Sequence, residues 1–337
     1  AHVTLSHRSS PRIRLIPRAD TAIADAYLTP VLQAHLDSLQ SVLHDGGRLS
    51  MMTSAGGLTG PAQFTGRKSI LSGPAGGMVA LAEIARVTGY TGIIGFDMGG
   101  TSTDVSRYDG DFEYRYDTRI SGIRLTTPML HIETVAAGGG SICRFDGNRF
   151  RVGPESAGAD PGPAAYGRGG PLTLTDVNAV LGYLPRFPFS LDMDSVRERF
   201  DSCRRKIRKA TGQWMTVEEI AEGFRTIASE TMAAAIRKIS LARGYDTRDH
   251  VLTTFGGAGP QHACSLARLL GMETIIIHPL ASVLSAYGLC VAPVKAIIEQ
   301  PIMELYRDRF RDEWETLLTG MEASAAEQVA ADGVDPG

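Results

Sequence analysis

Ile93-Ile-Gly-Phe-Asp-Met-Gly-Gly-Thr-Ser-Thr-Asp-Val-Ser106 reads as an apolar strand ending at Asp97, a diglycine turn and a hydroxyl-rich second strand. Gly99 and Gly100 lack Cβ and can take positive φ, so successive backbone N–H groups can converge on an anion. Thr101, Ser102 and Thr103 add hydroxyl donors. Asp97 and Asp104 flank the turn with carboxylates able to hold Mg2+ through water or orient an attacking group. Diglycine turns are common in plain hairpins, but two Asp flanking G-G-T-S-T point to phosphate binding. The chain has no G-x-x-x-x-G-K-[ST], and its hairpin enters a second strand instead of a helix, which excludes a Walker loop and a dinucleotide fingerprint.

Two further glycine segments follow. Gly138, Gly139, Gly140 and Ser141, after Val135-Ala-Ala, promise a second set of exposed amides and a hydroxyl for a phosphate or substrate cradle. Gly256, Gly257 and Gly259 fall between a strand and a helix, where backbone can approach an adenine or ribose closely. Around them, apolar residues from Ile23 to Leu43 recur at helical spacing and predict an amphipathic helix over Ala22–Leu43. Leu49–Thr53 is a short strand, and Pro74 opens a helix that stops at Gly89. Thr216 and Glu219 form a capping box for a helix over Val217–Arg243, which Gly244 ends. Val251–Phe255 is a buried strand, Gln261–Leu270 a helix and Thr274–His278 a strand, an α/β alternation. The Gly/Pro-rich stretch Gly153–Asp176 reads as a long functional loop whose Glu155, Asp160, Tyr166 and Asp176 could be aimed at a site. His131 and Glu133 alternate on a strand and, with Asp97 or Asp160, are candidate ligands for a divalent metal.

At 337 residues, with 43% hydrophobic and 21% charged content, the chain has the composition of a soluble globular protein. A net charge of −3 without a basic run gives no nucleic-acid footprint. No apolar stretch reaches the ~20 residues that span a bilayer, and no signal peptide is visible, so a cytoplasmic protein is expected. Cys143, Cys203, Cys264 and Cys290 lack C-x-x-C spacing and read as small buried hydrophobes, not as nucleophiles or zinc ligands. His262 and His278 read as capping or packing residues.

The hairpin resembles the second phosphate motif of the actin/sugar-kinase/heat-shock-chaperone ATPases. Ser72-Gly-Pro-Ala-Gly-Gly-Met-Val-Ala-Leu-Ala-Glu-Ile-Ala85 resembles their first connecting helix, and Thr254-Phe-Gly-Gly-Ala-Gly-Pro-Gln-His262 their adenosine motif. Thr134–Ser141, Gly153–Pro163, Lys238-Ile-Ser-Leu-Ala-Arg-Gly-Tyr-Asp246 and His278–Gly288 resemble the hydantoinase A/5-oxoprolinase family. The resemblance implies an α/β, ribonuclease-H-like ATPase fold whose first domain is partial and whose second is complete. It divides the chain into residues 1–90 (partial first lobe and connecting helix), 91–300 (second nucleotide-binding lobe with the 153–176 insertion) and 301–337 (helical tail). It implies ATP and Mg2+, or another divalent metal, as cofactors. Phosphoryl activation and hydrolysis of a 5-oxoproline- or hydantoin-type cyclic amide is the activity implied, with Asp97 holding Mg2+ and Asp104 fixing the hairpin or the water. A hydantoinase B-type subunit or domain and an oligomeric assembly are the partners implied. Relatives carry an earlier Asp-x-Gly-Gly-Thr hairpin, whereas this chain has one such hairpin and starts at Ala1, so it is read as a fragment, a processed chain or the product of a split gene. A ketone carboxylase subunit and a non-catalytic binding module stay open as alternatives.

Overall fold

The computed structural model describes residues 2–44, 47–184, 189–303 and 310–335, with backbone alone for 310–312. The chain divides into two compact units, each assembled from separated stretches: Ala1–Ala80, Phe112–His131 and Ser285–Gly337 in the first, Leu81–Asp111 and Ile132–Leu284 in the second.

The second unit is built on a five-stranded mixed sheet. Strands β1 (Gly92–Met98) and β2 (Thr103–Asp109) form the diglycine hairpin, and β3 (Ile132–Val135) pairs antiparallel with β2. Helices α1 (Leu174–Val180), α2 (Met193–Thr211) and α3 (Val217–Leu241) follow. Strand β4 (Val251–Phe255), helix α4 (Gly259–Leu270) and β5 (Ile275–Ile276) complete it, with β5 and β1 both parallel to β4. All five residues of β4 are buried, as expected of an inner parallel strand covered on both faces. Ile94, Phe96 and Met98 of β1 join Ile220, Phe224, Met232 and Ile236 of α3 in one core. Burying each of these side chains contributes about 1.5–3 kcal/mol.

The Thr216–Glu219 capping box forms, with Glu219 N–H to Thr216 Oγ1 at 3.1 Å and the reciprocal bond at 2.7 Å. Helix α2 escaped the sequence reading because most of its surface is charged. Its buried stripe, Val196, Phe200, Cys203 and Ile207, keeps helical spacing, and Asp192 caps it through Ser195 N–H at 3.0 Å.

Three expectations need correction. In the first unit the helix runs from Leu15 to Ser41 but buries its apolar stripe only toward its C-terminal end, where Leu36 is buried and Leu32 and Leu39 are half-buried: Ile23, Tyr27 and Val31 are 68%, 79% and 71% exposed. Its packed face is largely polar instead. Asp25 accepts the Arg67 N–H at 2.8 Å and Thr29 Oγ1 accepts the Gly66 N–H at 2.9 Å, because these donors sit at the start of the short helix Gly66–Ser69 and need acceptors. Secondly, only Cys143 and Cys203 are buried; Cys264 and Cys290 are exposed. Burial pushes the Cys143 thiol well up.

Thirdly, Gly153–Asp176 is not structureless throughout, although 157–163 and 167–172 are turns, bends and irregular backbone. Its start continues the strand Phe150–Ser156, which pairs with Ser141–Phe145, and Ala164–Tyr166 forms a helical turn. Asp176, aimed inward and fully buried, ties this segment down instead of facing a site. It accepts from the N–H groups of Ala165 (2.7 Å), Ala164 (3.1 Å) and Thr173 (2.7 Å) and from the Thr173 hydroxyl (2.9 Å). Burial pushes its carboxyl above the usual range while these donors pull it back. Ala164 N–H also reaches Pro171 O at 3.0 Å, so Asp176→Ala would strand three buried donors, the N–H groups of Ala165 and Thr173 and the Thr173 hydroxyl, and is expected to cost about 3–5 kcal/mol, read as a lower urea midpoint with unchanged slope. A shift under 1 kcal/mol would contradict the anchoring role.

Candidate functional site

The sheet register assembles the site. Phe255, Asp97, Asp104 and Thr134 are consecutive cross-strand partners over β4, β1, β2 and β3, so they form one row on one face. Directly opposed residues have Cβ atoms about 4.5–5.5 Å apart, which sets the Asp97 and Asp104 carboxylates side by side. Thr134 Oγ1 donates to Asp104 Oδ1 at 2.6 Å. Burial pushes the Asp104 carboxyl up, partly offset by the Thr134 hydroxyl.

At the turn, the Gly99 N–H donates to Ser102 O at 3.1 Å and closes the hairpin. Neither Gly99 nor Gly100 has positive φ, so the diglycine is not required by backbone conformation. It keeps the space above the turn clear: a Cβ on Gly100 would meet nothing within 4 Å. No hydrogen bond to another described residue engages the N–H groups of Gly100, Thr101 or Ser102, and Thr101 is exposed. Thr103 differs. Its hydroxyl is buried and donates to Ala137 O at 2.5 Å, so it braces the hairpin and is not a donor for a ligand.

Gly138–Ser141 is likewise a brace, which corrects the expectation of exposed amides. The Gly139 and Gly140 N–H groups donate to Gly99 O (3.0 Å) and Gly100 O (2.6 Å), and the Gly138 N–H to Ser141 Oγ (2.8 Å). The carbonyls of Gly139 and Gly140 accept in turn from Thr175 and Ala157, so all four residues are buried and held from both sides. The third glycine segment closes from the end of β4. Ala258 N–H donates to Met98 O at 2.9 Å, and Gly256, at φ 75°, is so close to β1 that a Cβ would collide with Asp97 Oδ1 and lie 2.5 Å from Met98 O. Gly257 is exposed and its carbonyl accepts from Gln261 Nε2 at 3.2 Å. The three glycine segments predicted separately thus meet at one turn.

Thr175 and Asn178 went unread in the sequence, though the Thr173–Asp176 capping box before them was a visible signal of a helix start. Thr175 Oγ1 donates to Gly139 O at 2.9 Å. Asn178 Nδ2 bridges Gln261 Oε1 at 2.7 Å and the buried His262 ring at 3.2 Å. Burial and then Arg225 lower the His262 pKa to about 4, so the ring packs as a neutral group.

Glu155 is exposed and paired with Arg144 at 2.8 Å, which holds its carboxyl below the usual range; Asp160 is exposed. Glu133 meets Lys238 at 2.9 Å, and His131 faces Glu113 at 3.2 Å. Among the described residues no group of three or more His, Cys, Asp or Glu could enclose a metal. A cation at the turn would therefore be held by one or two carboxylates and by ligand oxygens, the mode usual for Mg2+, and Asp97 beside Asp104 fits it.

The second unit is thus a mixed α/β unit whose three glycine segments converge on an acidic hairpin. The chain belongs to the hydantoinase/oxoprolinase family, whose model matches residues 18–298. It is 44% identical to 5-oxoprolinase 1 of Arabidopsis thaliana over 90% of its own length and 26% of that protein's. It is 35% identical to the caprolactamase alpha subunit of Pseudomonas jessenii, with 87% and 43% covered. The crystal structure of the ATP-dependent caprolactamase from Pseudomonas jessenii superposes with a TM-score of 0.84 at 31% identity, over 98% of this chain and 49% of that one. Nucleotide-free acetone carboxylase gives 0.77 at 24% identity, again over 98% and 49%, a likeness of fold. The chain thus spans about a quarter to a half of these relatives.

Proposed function

We propose that this chain is the nucleotide-binding part of an ATP-dependent cyclic-amide hydrolase, with the actin/sugar-kinase-like fold as its frame. The observation that carries the proposal is the meeting of three glycine segments on the Asp97–Asp104 row, with three N–H groups left over at the turn. ATP, when bound with Mg2+, supplies the phosphoryl group that turns an amide oxygen into a leaving group. The protein's contribution is positioning and charge neutralisation. The N–H groups of Gly100, Thr101 and Ser102 donate to phosphate oxygens, and the Thr101 and Ser102 hydroxyls extend the set. Asp97 holds Mg2+ through water, and Asp104, kept in place by Thr134, orients the hairpin or the attacking water. Gly256, Gly257 and Gly259 let backbone approach the adenosine.

Relatives named 5-oxoprolinase and caprolactamase support the amide class. The alpha-subunit name of the latter supports a second, hydantoinase B-type partner, and a cytoplasmic site of action is part of the same proposal. Phosphate release measured on the chain together with its relatives' remaining segments and a B-type partner is expected to rise with 5-oxoproline, a hydantoin or caprolactam and not with acetone. A rise with acetone and bicarbonate alone would instead favour a ketone carboxylase. Silence with every substrate, alongside intact assembly, would favour a binding module.

A further inference from the structure

The first unit holds a cavity of about 200 Å3. Arg8, Arg67, Lys68 and Lys295 line it, with Glu299 as the acidic residue of the lining. Glu299 is already engaged, 2.9 Å from Arg12. Among the described residues no carboxylate comes within ion-pair distance of the four lining cations.

Two of the inner cations, Arg67 and Lys295, are held by neutral partners. Arg67 Nη1 donates to Thr127 Oγ1 at 3.1 Å, and its own N–H is tied to Asp25. Lys295 lies on the segment whose N–H donates to Leu58 O at 3.1 Å. Its Nζ donates to the Tyr114 hydroxyl, which itself donates to Ala55 O at 3.3 Å, so two Nζ protons remain for a ligand. Lys68 lies beside Arg67. Burial first, and the Arg67 charge second, lower its pKa to about 8, while Asp332 and Asp25 pull it back up. Cations gathered in a partly desolvated hollow repel one another, and an anion between them would relieve the repulsion and offset the cost of desolvation.

We infer that this cavity is a binding site for a small oxyanion, a carboxylate or phosphate group of a compact ligand, held by Arg67, Lys68 and Lys295. At about 30 Å3 per water, the space equals that of roughly six waters, enough for a small ring bearing one acidic group. Guanidinium and ammonium donors to an oxyanion form charge-assisted bonds, about twice as strong as neutral ones. The carboxylate source rests on the cyclic-amide reading above; the phosphate source does not.

The test is calorimetry on the full chain at pH 8 with 2-pyrrolidone-5-carboxylate, neutral 2-pyrrolidone and inorganic phosphate. One of the two anions is expected to bind at least about tenfold more tightly than 2-pyrrolidone, and which of them does so identifies the source. Binding should take up about half a proton, because an anion raises the pKa of a Lys68 that is half neutral at that pH. The charged groups around Lys68 are Arg8, Arg67, Lys295, Glu299, Asp25 and Asp332. Lys68→Gln should weaken the anion about tenfold and abolish the proton uptake, Lys68→Arg should retain affinity, and Lys295→Gln serves as the second variant if the first misfolds. Equal binding of the neutral amide, no heat with either anion at millimolar concentration, or unchanged affinity in both glutamine variants would overturn the inference. The Mg-ATP-induced melting shift of the same samples reports separately on the hairpin, so failure here and failure of the nucleotide reading are distinguishable.

Discussion

Gly138→Ala is expected to lower stability by about 3 kcal/mol and to disorganise the diglycine hairpin. The new Cβ would lie 2.7 Å from Gly100 C, Gly100 O and Thr101 C, all backbone atoms that cannot rotate away as a side-chain end can. Relief requires moving the turn, yet the turn is held by Gly139 N–H to Gly99 O and Gly140 N–H to Gly100 O. Overpacking of this kind costs about 1–3 kcal/mol, and each weakened hydrogen bond adds roughly 0.5–1.5. The melting point should drop roughly 5–10 °C. Gly100→Ala is the control. Its Cβ would meet nothing within 4 Å and its φ is ordinary, so folding should change by less than about 1 kcal/mol. The same methyl would stand in the clear space over the free N–H groups, so nucleotide binding should weaken at unchanged stability. Equal melting points for Gly138→Ala and the parent chain would show that Gly138–Ser141 does not brace the turn.

Asp97→Asn is expected to weaken Mg-dependent nucleotide binding about 10- to 100-fold, the usual effect of removing a group that holds a metal through its bound water. Folding should change by no more than about 1 kcal/mol, because the amide is isosteric and Asp97 is only partly buried. Asparagine also keeps the close approach of Gly256, whose missing Cβ leaves room for an oxygen at this position. The measurement is the melting-temperature rise produced by Mg-ATP in the reconstituted assembly, compared with ATP and EDTA. An unchanged Mg-ATP shift in Asp97→Asn would remove Asp97 from the metal site and weaken the whole phosphoryl-transfer reading.

Much of the second unit was legible in the sequence because its signals are local. The Thr216–Glu219 capping box, the left-handed Gly89 and Gly244 at helix stops, and the Asp97–Asp104 hairpin depend on neighbours a few residues away. Helix Leu15–Ser41 shows where periodicity misleads. The apolar spacing was real and the helix forms, but the buried side is chosen by the orphan donors of Gly66 and Arg67, some forty residues downstream.

Residue identity determined the presence and order of the three glycine segments and the two carboxylates, since turns, strands and caps follow from local backbone preference. The tertiary structure decided which glycine amides are engaged and which have no partner among the described residues. Gly99, Gly139, Thr175 and Gly256 are distant in sequence, and only their pairing across the sheet consumes the amides of Gly139 and Gly140 while leaving those of Gly100, Thr101 and Ser102 unspent. A backbone N–H looks the same in every glycine of a sequence; whether it has met a carbonyl is settled by long-range register, which no local pattern encodes.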